Sequence, residues 1–146
     1  MTTKWATPSA VEDVLTTELN ALANGANKIT TTPVSNYVEL DLYADFILNL
    51  EAQGAARDVD AHVNLYILAR ADEVNYPYGG DTLNPSNNSW IGSFIFDAAL
   101  DARIGVIRGV LLPPEDFHVL IINSTGQAFA ATGNTLKIRR YNLTNV

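Results

Sequence analysis

The residues that could do chemistry in this chain are two histidines, a scatter of serines and a surplus of carboxylates. Their spacing argues against most catalytic designs. His62 and His118 lie far apart and form no close His-x-His or His-x-x-x-His pair, and there is no cysteine to complete a metal set. The serines, at positions 9, 35, 86, 89, 93 and 124, lie in no nucleophile-elbow sequence. A hydrolytic triad would need one of them beside a base held by a carboxylate. The pairs Asp58/Asp60 and Asp97/Asp101 do not argue for glycoside hydrolysis in so acidic a chain. Either pair could hold calcium, but no ligand-rich loop surrounds it. Tyr78-Gly79-Gly80-Asp81 lacks the lysine and the strand-to-helix setting of a phosphate loop. A non-enzymatic protein with no cofactor and no metal is therefore expected.

Binding chemistry has better candidates. Tyr76, Tyr78 and Trp90 bracket a long segment, residues 71–89, rich in Pro, Gly, Asn and Asp. Irregular segments of this length are usually functional. Such aromatics can stack on sugar rings, anchor a protein interface or pin the loop. Glu39, Asp41 and Asp45 share one face of a long strand, with about 7 Å between alternate residues. Lys137 and Arg139 share one face of the last strand. These charges either face solvent or pair, within a subunit or across a contact, where they would set register and partner choice more than affinity.

The elements that must position these residues are mostly strands. Between residues 37 and 50 the even positions read Val38, Leu40, Leu42, Ala44, Phe46, Leu48 and Leu50. Strict alternation predicts one strand with a single apolar face. Residues 61–70 alternate again, with Val63, Leu65 and Ile67 inward. Further strands are expected over 28–32, 90–96, 104–112, 127–131 and 136–141. Residues 117–123 are apolar on both faces, so that strand should be central and covered. Ahead of the strands, Ser9-Ala10-Val11-Glu12 is a capping-box pattern. Val11, Val14, Leu15, Leu19 and Leu22 then follow at helical spacing, and Asn24-Gly25 supplies a stop. The pattern predicts a helix packed on its own domain or docked on a neighbour. The expectation is an all-β, jelly-roll-like β-sandwich of seven or eight strands (28–146) preceded by an N-terminal arm and helix (1–27). Trp5, among small polar residues in the arm, either anchors the arm on a partner or folds back onto its own sandwich.

Bulk properties narrow the partners. The 146 residues carry 16 acidic and 9 basic side chains, for a net charge of −7. This disfavours nucleic acid, which requires a basic footprint. Charged residues make up only 17%, so much of the surface must be neutral or apolar and suited to partner contacts. No stretch has signal-peptide or membrane-spanning character, and the Asn-x-Ser/Thr matches at Asn87, Asn123 and Asn142 carry little weight. The low charged fraction, together with the doubly apolar stretch 117–123, leaves more apolar surface than one sandwich face needs, and a homo-oligomer, most simply a trimer, is expected.

Several stretches carry a resemblance to a known class. Residues 123–142 (Asn-Ser-Thr-Gly-Gln-Ala-Phe-Ala-Ala-Thr-Gly-Asn-Thr-Leu-Lys-Ile-Arg-Arg-Tyr-Asn) are similar to the end of small virion proteins of tailed bacteriophages. Tyr37-Val-Glu-Leu-Asp-Leu42, Gln53-Gly-Ala-Ala-Arg57 and Arg108-Gly-Val-Leu-Leu-Pro-Pro114 fit the same pattern. The resemblance covers residues 37–142 and is one of strands and turns, not of a catalytic signature. It implies a capsid decoration or cement protein on the exterior of the phage head, bound to the major capsid protein and to copies of itself. A carbohydrate-binding module of a tail or secreted assembly is the alternative, suggested by the aromatic loop.

Overall fold

Alternation of apolar and polar side chains builds the architecture. The structure, a computed structural model, describes residues 2–145. It is all-β, with ten strands among the described residues: β1 (Thr3–Trp5), β2 (Glu12–Leu15), β3 (Asn27–Ile29), β4 (Tyr43–Leu50), β5 (His62–Ala69), β6 (Trp90–Ile95), β7 (Arg103–Leu111), β8 (Phe117–Ser124), β9 (Thr135–Tyr141) and β10 (Leu143–Asn145). Two four-stranded antiparallel sheets form, in the orders β2-β9-β4-β7 and β3-β8-β5-β6, while β1 and β10 make a separate ribbon.

One core joins the two sheets. Ala44, Phe46, Leu48 and Leu50 of β4 are fully buried together with Val63 and Leu65 of β5, and with Val119 and Ile121 of β8. Phe94 of β6 and Leu136 of β9 complete the layer. Deleting side-chain volume from such a layer removes transfer energy and leaves a cavity.

The central strand β8 is covered on its second face too, and its own chain supplies the cover. Tyr66, Leu68 and Leu120 form a small cluster there, separate from the main core. The segment after β5 lies across it. A Cβ on Gly79 would meet Leu68 at 2.9 Å and Leu120 at 3.4 Å, so that backbone packs directly on the sheet. The Asn27 amide donates to the Gly80 carbonyl (3.2 Å) and to Asn84 (3.0 Å), and Lys28 pairs with Asp81 at 2.6 Å. The long segment 71–89 thus lies in part across its own sheet. The apolar surplus of β8, which motivated the expectation of self-association, is consumed within the subunit.

The structure corrects three expectations. The helix predicted from Ser9 is not formed. The segment is β2 followed by a single 3-10 turn, Thr17–Leu19. The reason is tertiary pairing. Ser9 accepts the Arg140 N–H through its hydroxyl instead of capping a helix, Ser9 N–H donates to the Arg140 carbonyl, and Glu12 pairs with Arg140 at 2.9 Å. Leu15 and Leu19, expected on a stripe that either packs on its own domain or docks on a neighbour, lie in the core, and only Val11 of that stripe is well exposed.

The second correction concerns residues 37–42, which do not extend β4. Asn36 captures them. Its amide donates to the carbonyls of Asp41 (3.0 Å) and Pro113 (2.7 Å), and its side-chain oxygen accepts the Asp41 N–H (2.9 Å). Leu40 N–H bonds the Asn36 carbonyl, and Leu40 takes a left-handed conformation with φ +50°. Val38, Leu40 and Leu42 therefore point to solvent, although their parity placed Leu40 and Leu42 in the core. The third is the stretch 127–131, which forms no strand. The Gln127 carbonyl is taken by the side chains of Asn123 (2.8 Å) and Thr125 (2.9 Å).

Urea unfolding should separate these roles. Leu48→Ala is expected to cost about 2–5 kcal/mol. Asn36→Ala should cost about 1–3 kcal/mol, because it leaves buried backbone groups without partners. Val38→Ala should fall within about 0.5 kcal/mol of the parent.

Candidate functional site

A candidate site lies on the outward face of the first sheet, where β4, β7 and β9 run side by side. Its origin is a bulge. Ala44 pairs with Val110 and Phe46 with Ile107, so Arg108 and Gly109 together oppose Asp45. Gly109 has φ +66°, a left-handed conformation that a side chain would strain. The bulge turns its N–H to Asp45 Oδ1 (3.0 Å) and brings Arg108 Nη1 to Asp45 Oδ2 (3.0 Å).

Asp45 also accepts a hydrogen bond from the Tyr141 hydroxyl, again at 3.0 Å. This leaves Arg139 stranded. Arg139 is directly opposite Asp45 in the β4–β9 ladder, yet the carboxylate is turned toward the bulge and Tyr141. Seven of the nine basic residues have a carboxylate within ion-pair distance among the described residues, and Arg139 and Lys4 do not.

Three aromatic rings wall the same place. Tyr43 and Tyr141, opposite each other in the ladder, stack with centroids 5.9 Å apart and planes 20° apart. Trp5 of the β1–β10 ribbon meets both rings nearly at right angles, at 5.6 and 5.3 Å. Trp5 stays 60% exposed, so most of its indole faces solvent. Together Trp5, Tyr43, Tyr141, Asp45, Arg108 and Arg139 line an open cleft of about 570 Å³, within the usual range for small-ligand sites.

The other expected site residues are dispersed. Tyr76 packs edge-on against His118 (4.7 Å) and under the Arg70 guanidinium (5.7 Å), which pins the loop. Tyr78 and Trp90 are exposed, and among the described residues neither stacks with the other or with Tyr76. Asp41 accepts from the Asn142 amide (2.8 Å) and lies 3.7 Å from Arg140, while Lys137 pairs with Asp13 at 3.5 Å. Glu39 is exposed, with no ion pair among the described residues. His62 and His118 bond to backbone carbonyls of Asp60 and Thr30, and no group of three metal-ligating side chains occurs among the described residues.

Tyr43, Arg108 and Tyr141 escaped the sequence reading. One signal was available: an isolated glycine inside a strand pattern, Gly109, marks a bulge. A second feature of this end is apolar exposure. Tyr37, Val38, Leu40 and Leu42 of the turn before β4, Leu111 at the end of β7 and Leu143 of β10 are all exposed. Backbone pairings join Tyr43 to both Leu111 and Tyr141, and Trp5 to Leu143, so this apolar end runs into the aromatic cleft. No family model matches the chain, and no curated protein matches it.

Burial, followed by the bond to Asp45, raises the Tyr141 hydroxyl above the ordinary phenol value of 10.0. The neutral phenol is the form favoured by folding. Its contribution is therefore full below about pH 10 and is lost as pH rises through the raised value. An ultraviolet absorbance titration should show one tyrosine ionising late. Asp45→Asn should move that step to lower pH, and Tyr141→Phe should remove it.

Proposed function

We propose that this chain is a structural component of a tailed-bacteriophage particle: a decoration or cement protein on the outside of the head. It binds the major capsid protein and copies of itself, most simply as a homotrimer. The observation that carries this reading is the strand order. Counted from β2 as the first of eight, the two sheets run 1-8-3-6 and 2-7-4-5. This is the arrangement of a jelly roll, in which consecutive strands largely alternate between sheets. Jelly rolls serve viral capsid and lectin domains. Since fold alone does not assign function, a surface must support the reading as well.

The apolar end supplies that support. Tyr37, Val38 and Leu40 expose large side chains on a turn held by Asn36, and Leu40 keeps its left-handed backbone. Exposed apolar groups that continue into neighbouring strands mark contact sites for other proteins. Strain at an exposed residue points the same way. Self-association, no longer motivated by β8, is assigned to this end as well.

Co-sedimentation with capsid shells of the phage that encodes the chain tests the proposal. The protein should pellet with the shells and saturate at a fixed copy number. The double variant Val38→Asp/Leu40→Asp, which alters only exposed positions, should weaken binding at least tenfold while its thermal unfolding stays near that of the parent. Sedimentation velocity should find a trimer that the double variant shifts toward monomer. Failure of the parent to pellet with the shells overturns the reading.

A further inference from the structure

We infer that the cleft between Trp5, Tyr43, Tyr141 and Arg139 is a binding site for a saccharide unit that carries a carboxylate, such as a uronic or sialic acid. The inference stands apart from the virion reading, which rests on the strand order and the apolar end.

Three observations define the ligand. The first is the aromatic wall. A stacked tyrosine pair crossed by an exposed indole offers broad π-surface, which packs against the apolar C–H face of a pyranose ring. The second is Arg139. It stands opposite a carboxylate that has three other donors, so its guanidinium has no protein anion among the described residues. A planar guanidinium recognises a carboxylate through two parallel hydrogen bonds. The third is local charge. Arg108 and Arg139 outweigh Asp45, so the cleft is cationic on a chain whose net charge is −7. A cationic site on an acidic surface selects an anion locally while the rest of the molecule repels polyanions.

The size of the site separates a sugar from a polymer-wide contact. A cleft of about 570 Å³ accepts one or two sugar rings. Asp45 is the positioning residue: it fixes the Tyr141 hydroxyl and one Arg108 nitrogen, and leaves Arg108 mostly exposed to reach ligand hydroxyls. Trp5 enters from a different sheet than the tyrosines, so the ribbon is part of the site.

The test is an array of oligosaccharides ending in glucuronate, galacturonate or sialate, each beside its carboxyl-reduced neutral counterpart. Affinities follow from the change in tryptophan fluorescence. At least one acidic glycan should bind saturably, at least tenfold more tightly than its neutral counterpart, and more weakly as salt rises. Arg139→Gln should lose at least tenfold of that preference. Trp5→Phe should lose affinity for acidic and neutral forms alike, read by calorimetry. Both positions are exposed, and thermal unfolding of each variant should stay within a few degrees of the parent. If Trp5→Phe nevertheless unfolds, Arg139→Gln alone decides. The inference is overturned if no acidic glycan binds, if neutral counterparts bind equally, if Arg139→Gln keeps the preference, or if a glutamate-rich peptide binds as tightly as the best glycan.

Discussion

The pairing of β9 with both β2 and β4 is the constraint on which the rest of this molecule depends. β9 lies near the end of the chain, and its partners lie near the beginning. Without it the first sheet has no middle, Leu15 has no layer to join, and Tyr141 and Arg139 have no place beside Asp45. Near its end the same strand carries Arg140, which reaches the Ser35 carbonyl, Glu12 and Asp41, and so ties β2 and the turn before β4 to one end of the core. Ladders of such large sequence separation must close long loops before they gain contacts, and folds built on them form slowly.

Around that ladder, Asp45 settles how the outward face is arranged. A carboxylate facing an arginine across two strands would ordinarily pair with it. The extra residue in β7 supplies closer donors, the Gly109 N–H and Arg108, and Tyr141 supplies another. The bulge therefore has an electrostatic result as well as a geometric one. It turns the carboxylate toward the bulge and Tyr141 and away from Arg139, and a cation is left facing solvent beside three aromatic rings. The opposite face of the molecule shows the reverse economy: the segment around Gly79 covers what the sheet would expose.

How much of this was legible depended on whether local pattern and long-range pairing agreed. In β4 from Ala44 to Leu50, and in β5, alternation gave the correct inward face because both neighbours of each strand demand it. The same alternation between Val38 and Leu42 misled, since one asparagine side chain can hold a short backbone segment in a turn that apolar parity does not reveal. Leu15 and Leu19 were rightly marked as one apolar group, but their helical spacing was reused by a strand and a single turn once β9 supplied hydrogen bonds. The site was only partly visible. Asp45, Lys137 and Arg139 were recognised as outward charges. The tyrosines beside them are brought together by register, and register is a property of two strands at once.

The β1–β10 ribbon places Thr3 beside Asn145 and Trp5 beside Leu143, and the ladder continues inward through Glu12 with Ile138 to Leu15 with Leu136. This has a mechanical meaning. A load pulling Thr3 away from Asn145 does not shear a row of hydrogen bonds together. It opens the pairs in turn, from the ribbon toward the core, and each opening meets only the resistance of one rung. Trp5 lies on the first rungs to part, before any core residue moves. Tension at the ends of the chain would therefore dismantle the aromatic cleft while both sheets still stood, so this cleft is softer than the scaffold along this one direction.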